Sequence, residues 1–142
     1  VTKSAAATYT MYGIGVYDQA FVSPVGFIAT ADNGTTQTLT SAMVVGGRTT
    51  YHVTTGGTTP SLTLPLATAI DTALPDIRAG QSYILRVINT NSGTATVVTN
   101  TGWTTSGTLT IATNTWREFL IVCVATQAGT YTITSVGTGT TS

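Results

Sequence analysis

The sequence predicts an all-β protein, an antiparallel β-sandwich of jelly-roll-like type with at most one short helix near residues 67–74. Threonine fills 35 of the 142 positions, and its β-branched side chain suits a pleated, half-exposed strand. Only 7% of the residues are charged while 42% are hydrophobic, which is unlike both disordered and charge-rich helical chains. Short segments with period-two alternation recur between turn signals, as they do in sandwiches and barrels.

Glycine and proline divide the first part of the chain into an arm and several short strands. Residues 1–17 are expected to be an N-terminal arm or a first strand, and residues 18–142 a single sandwich domain. Asn33-Gly34 and Gly46-Gly47 predict hairpin turns, because these dipeptides readily adopt positive φ. Residues 56–60 would link the two halves. The strands expected in this part are 20–22, 26–30, 36–45 and 48–54.

The second part of the chain carries stronger signals. Leu66, Ile70 and Leu74 lie at helical spacing, and Pro75 follows them, which predicts a helix over 67–74. Residues 82–89 are largely apolar on both faces, so we expect that strand to be buried on both. Residues 119–124 form the longest apolar run and should cross the core. The strands expected here are 61–64, 82–89, 94–99, 108–111, 115–125 and 130–136.

Groups that could carry catalysis or bind a metal are few. His52 is the single histidine and Cys123 the single cysteine, so neither an intramolecular disulfide nor a Cys/His metal site can form. His52 is expected to be a half-exposed strand residue, and Cys123 a buried, inert thiol. Asp71 is expected on the exposed side of the helix and Asp76 in a turn. We therefore expect no enzyme activity, cofactor or metal.

The charges and hydropathy also exclude two classes of partner. The five cations are scattered along the chain, whereas nucleic-acid binding needs several phosphate contacts on one face, so we expect no nucleic-acid partner. No apolar run approaches the roughly 18 residues of a membrane span, so we expect no membrane partner. The sequence begins at Val1 without an initiator Met, and a trimmed N-terminus is expected.

Aromatic side chains are the candidates for an interaction site. Tyr9, Tyr12 and Tyr17 lie in a segment with very little charge, which suits a docking element that orders against a neighbouring subunit; an ordinary first strand is the alternative. Trp103 lies in a Thr-Gly-Trp-Thr loop, where it would stack on a sugar or pack at a subunit contact. Trp116 is expected to cap the core.

A series of turn and core residues recurs between residues 61 and 139. They are Leu62–Ala67, Ile70, Ala79–Tyr83, Ile88–Val97, Thr101–Trp103, Gly107, Thr113–Phe119, Tyr131–Ile133 and Val136–Gly139. With these residues the region resembles a β module found in virion proteins of tailed phages and large DNA viruses, where it occurs in capsid decoration (cement) proteins, spikes and fibres. The resemblance transfers no catalytic residue.

This resemblance implies a structural virion protein on the outer capsid surface of a tailed phage. As a decoration protein it would bind the major capsid protein or other virion proteins and bridge capsid subunits, as a homo-oligomer with a trimer favoured. Two other functions stay open. One is a tail, fibre or spike component that binds a receptor or glycan, and the other is an extracellular filament subunit joined by strand addition.

Overall fold

A computed structural model describes residues 27–29, 36–46, 49–54 and 59–141. These residues are mostly β, as predicted, with two short helices. The elements in chain order are β1 (Phe27–Ala29), β2 (Gln37–Thr38), α1 (Ser41–Val45), β3 (Thr49–Thr54), β4 (Ser61–Thr63), α2 (Ala67–Ala73), β5 (Ser82–Asn89), β6 (Ala95–Val98), β7 (Trp103–Ser106), β8 (Thr110–Ile111), β9 (Thr115–Ala125) and β10 (Thr130–Thr140).

The described strands form two mixed sheets. The six-stranded sheet has the order β1-β3-β5-β9-β10-β7, and the four-stranded sheet has the order β2-β4-β6-β8. Only β5/β9, β9/β10 and β6/β8 pair antiparallel; the other five pairings are parallel. The prediction of antiparallel sheets is therefore wrong. Parallel neighbours need a crossover between them, and here the crossover passes through the other sheet.

From β1 to β6, successive strands alternate between the two sheets, so that each pair of strands forms one coil of the chain and the three coils stack on one another. β1, β3 and β5 lie side by side in the six-stranded sheet, and β2, β4 and β6 lie side by side in the other. Successive coils repeat a hydrogen bond: Leu39 N donates to Thr63 O, and Leu64 N donates to Val98 O, both at 2.8 Å. The hairpin predicted at Gly46-Gly47 is wrong, because β3 pairs with β1 and β5 and not with β2.

Helix α1 replaces the second half of the strand predicted over 36–45, so the limit of one helix is wrong. Thr40 has extended backbone angles (φ −83°, ψ 164°), and its hydroxyl accepts a hydrogen bond from Met43 N at 3.3 Å. This cap satisfies one of the free N–H groups of the first turn. Val44 and Val45 are buried. Capping and burial thus outweigh the preference of β-branched valine for strands.

Helix α2 confirms the predicted helix to within one residue. It ends where Leu74 N donates to Ile70 O at 2.8 Å, and Pro75 follows. Ala67 and Ile70 are buried. Since Ser41 Oγ also donates to Ala69 O at 3.0 Å, the two helices are tied to each other.

Both sheets contribute to one hydrophobic core. In β5 the alternate residues Tyr83, Leu85 and Val87 are buried, whereas Ile84 and Ile88 are only half-buried. The prediction that this strand is buried on both faces is therefore wrong: β5 has one buried and one partly exposed face. Buried apolar side chains of the core include Leu39, Val44, Leu62, Leu64, Ile70, Leu85, Val87, Val97, Ile111, Phe119, Ile121, Tyr131 and Ile133.

Candidate interaction surfaces

The predicted aromatic site residues have different outcomes. Tyr9, Tyr12 and Tyr17 lie outside the described residues, so their docking role stays a prediction. Trp103 begins strand β7 and is not in a loop as predicted. Its Nε1 donates to Pro65 O at 2.8 Å, and its ring lies 5.5 Å from that of Tyr131. The half-buried indole therefore anchors β7 to the core.

Gly102 places β7 beside β10. Its φ is +90°, and a Cβ added there would lie 2.3 Å from Gly129 O and 2.4 Å from the Cβ of Ala67. Only glycine tolerates both this φ and this approach. The chain therefore reaches the edge of the six-stranded sheet through a contact with α2 and with the turn before β10.

The first candidate surface is the edge of β7 that faces away from β10. Thr104, Thr105 and Ser106 are all exposed. β7 pairs in parallel with β10, and Tyr131 N donates to Gly102 O at 2.9 Å. Because backbone groups alternate sides along a strand, Trp103 and Thr105 direct theirs away from β10, and the N–H of Trp103 donates there to Asn100 O at 3.3 Å. Within the described residues no strand pairs with that side, and β7 carries no charge or proline.

The second candidate surface is the partly exposed face of the six-stranded sheet, here called the outer face. At its centre Arg86 Nε donates to Glu118 Oε2 at 3.0 Å, and Arg86 Nη2 donates to the same oxygen. The two side chains are 29% and 26% exposed. Half-buried apolar side chains surround this pair along β5 and β9; they are Ile84, Ile88, Leu120 and Val122.

Trp116 lies on the outer face and does not cap the core as predicted. The Arg86 guanidinium sits over its ring, 4.3 Å from the centroid, a geometry in which the cation is attracted to the ring face. Gly139 lies against the ring, since a Cβ added there would be 2.6 Å from Trp116 Cζ2. The face thus combines an apolar surface with a charge pair that neutralises itself, which suits contact with an uncharged protein surface.

A buried carboxylate joins α2 to the turn between β9 and β10. Tyr131 Oη donates to Asp71 Oδ1, and Gly129 N donates to Asp71 Oδ2, both at 2.6 Å. Asp71 is only 7% exposed, so its predicted placement on the exposed side of the helix is wrong. The helical spacing could have predicted this burial, because Asp71 is four residues after Ala67 and therefore lies on the same buried face of the helix.

Burial shifts the ionisation of two groups near Asp71. Burial raises the pKa of Tyr131, and the hydrogen bond and charge of Asp71 raise it further. Burial also raises the pKa of Cys123, with the charge of Asp71 as the second cause. Cys123 is 1% exposed, as predicted, and its Sγ donates to Ala125 O at 3.3 Å. The raised pKa keeps the thiol protonated at neutral pH, which disfavours nucleophilic chemistry.

The structure also locates the other residues that were considered as candidate site residues. Asp76 is exposed in a turn, as predicted, and His52 lies on β3. In the described ranges, no three His, Cys, Asp or Glu side chains gather as a metal ion would require. Neither helix of the described part has the length and apolarity needed to span a bilayer.

Comparison with known proteins gives no assignment: no family model matches the chain, and no curated protein or solved structure matches it. The viral resemblance of residues 61–139 therefore stays a prediction. What the described residues define is a two-sheet β protein with a neutral edge and a neutral, partly apolar face.

Proposed function

We propose that this chain is a structural virion protein: a capsid decoration protein of a tailed phage, bound to the outer capsid surface as a homo-oligomer, with a trimer favoured. The observation that carries the proposal is the outer face. Its apolar side chains Ile84, Leu120 and Val122 are partly exposed, and its central charges Arg86 and Glu118 pair with each other. Apolar side chains that stay partly exposed next to one another on a sheet face support an interaction site there.

The mechanism is mechanical. Each copy would contact the major capsid protein or another virion protein through weak, neutral surfaces, and several copies joined together would bind by avidity. A folded core without a disulfide suits a subunit that acts by its shape. The finer fold assignment, a β-sandwich related to the viral modules, belongs to the same proposal; the core shared by both sheets supports it.

The test is to locate and count the protein in purified particles by imaging and quantitative mass spectrometry. A decoration protein should be present in hundreds of copies over the shell. A few to tens of copies at one vertex or on the tail would overturn the proposal in favour of a tail, fibre or spike component.

A matched pair of variants tests the outer face. Leu120→Lys places a charge among the apolar side chains of that face, whereas Thr113→Lys adds the same charge on an exposed turn. Both proteins should fold, as checked by circular dichroism. We expect Leu120→Lys to lower occupancy on stripped particles about tenfold, the effect of roughly 1.4 kcal/mol, and Thr113→Lys to leave it unchanged. Equal occupancy of the two variants would remove the support given by this face.

A receptor- or glycan-binding tip centred on Trp103 has less support. A sugar-stacking tryptophan needs an open ring face, whereas this indole is half-buried, hydrogen-bonded to Pro65 O and packed by Tyr131.

A further inference from the structure

We propose that the side-chain amide of Asn91 binds an internal water molecule in the connection between β5 and β6, residues 90–94. The water molecule would complete the hydrogen bonding of this connection. Its binding is a property of the folded chain and does not depend on the proposed function.

Asn91 is a buried residue whose side-chain polar atoms have no protein partner in the described part of the chain. It is 2% exposed, and both Nδ2 and Oδ1 are shielded from solvent without a hydrogen bond. A carboxamide offers two donors and two acceptor lone pairs, and burial without any hydrogen bond leaves its lost hydration uncompensated. Buried polar atoms that lack a protein partner are commonly bonded to ordered water.

Asn89, by contrast, uses its buried side chain to hold the same connection in place. Its Oδ1 accepts a hydrogen bond from Asn91 N at 3.0 Å. Its Nδ2 donates to Gly93 O at 2.8 Å and to Ile111 O at 2.9 Å. These bonds tie Asn91 and Gly93 to the end of β8, which fixes the backbone from which the Asn91 side chain enters the interior.

The uncharged surroundings favour water over an ion. No residue from 87 to 116 is charged, so the connection and strands β6 to β8 have no charge of their own to neutralise an ion. A cation would be repelled by the Asn91 Nδ2 donor and an anion by the Oδ1 acceptor, whereas water both donates and accepts. Internal waters make about three hydrogen bonds. Asn91 would supply one or two of them, and a carbonyl with a second lone pair, such as Gly93 O, would supply another.

The first test is a crystal structure of the full-length protein at a resolution that shows ordered water. We expect a water molecule at hydrogen-bonding distance, about 2.7–3.2 Å, from Asn91 Nδ2 or Oδ1, and we expect it to be absent from the structure of Asn91→Leu. A protein group in the place of the water, from any part of the chain, would overturn the inference. An Asn91 side chain turned out to bulk solvent, or one without any neighbouring density, would overturn it as well.

Urea denaturation tests the water in solution. Asn91→Leu keeps the branched shape of the side chain but removes the amide, so the water loses a partner. We expect the equilibrium constant for unfolding to rise about tenfold, which corresponds to about 1.4 kcal/mol. Thr94→Val is the control, since it removes a hydroxyl from an exposed position of the same connection, and it should change the constant by about twofold at most. An unchanged or lowered constant for Asn91→Leu would contradict the inference, because replacing an amide that binds nothing by an apolar group relieves its desolvation.

Discussion

The described residues before and after position 99 build their sheets in different ways. Before it, the strands have eight residues or fewer, and each parallel neighbour is reached only after a visit to the other sheet. After it, β9 and β10 have eleven residues each and pair directly across a short turn. In the first region, helices α1 and α2 lie in two of the connections between the sheets. In the second region, β9 and β10 form a long hairpin, and β9 pairs with β5 of the first region.

The difference shows where the molecule depends on single residues. Backbone hydrogen bonds pair the strands within each region. At α2, by contrast, the two regions are held together by a close backbone contact and by a buried carboxylate. Gly102 lets the backbone pass between Ala67 and Gly129, and Asp71 binds Gly129 and Tyr131. Substitutions at this junction should cost more than substitutions within either region.

The largest effect is expected at Gly102. Gly102→Ala should lower the free energy of unfolding by about 4 kcal/mol, because overpacking of about 1–3 kcal/mol adds to a backbone cost of about 1–2 kcal/mol for a left-handed residue. Gly80→Ala is the control, since Gly80 has φ +88° but nothing within 4 Å of an added Cβ. Urea denaturation measures both. Similar losses at the two positions would mean that the junction is not tightly packed.

Removing the carboxylate at the junction comes next. Asp71→Ala leaves the Tyr131 hydroxyl and the Gly129 N–H without their buried acceptor, so we expect a loss of about 3 kcal/mol in urea denaturation. Asp76→Ala removes the same charge from an exposed turn and should change stability by less than about 0.5 kcal/mol. A small effect of Asp71→Ala would show that water replaces the carboxylate.

Alkaline pH should weaken the same junction. Folding raises the pKa of Cys123 above its ordinary 9.0 and that of Tyr131 above its ordinary 10.0. The unfolded chain then releases these protons first, so stability is complete below about pH 9 and falls as pH rises above that. Denaturation from pH 7 to 11 should show this fall, and Tyr131→Phe should reduce its slope above pH 10. A slope that Tyr131→Phe leaves unchanged would assign the fall to other groups.

The smallest effect is expected within the hairpin, on the outer face. Gly139→Ala must displace the Trp116 ring, 2.6 Å from the added Cβ, whereas Gly137→Ala places its Cβ 3.9 Å from that ring. We expect a loss of about 1 kcal/mol for Gly139→Ala and a visible change in tryptophan emission. Gly137→Ala should leave the emission as it is. If both spectra stay unchanged, Trp116 does not depend on Gly139 for its position.

The sequence predicted those elements whose signals are local. The bounds of β5 and β9 were predicted to the residue, because long apolar runs stand between turn residues there. α2 was predicted from helical spacing and Pro75. α1 was missed because Val44 and Val45 suggest a strand, although Thr40 offered a cap. β7 was missed because Thr-Gly-Trp-Thr suggests a turn and has no apolar alternation.

Strand direction and the interaction surfaces were harder to predict, because both depend on contacts distant in sequence. Gly46-Gly47 looks the same before a hairpin as before a crossover. Trp103 was identified as a candidate, but its partner Pro65 is 38 positions away. Arg86 and Glu118 were not identified, since they are 32 positions apart and meet only across β5 and β9. Asp71 could have been placed from helical spacing alone.

The place of β7 in the sheet also fixes an order of events during synthesis. Its one described neighbour, β10, begins at Thr130, so the ribosome releases β7 well before the strand that receives it. β10 in turn needs β9, which pairs with β5. Since domains begin to fold while the chain is still being made, β7 has no partner in the six-stranded sheet, among the described strands, until the residues of β10 have been synthesised.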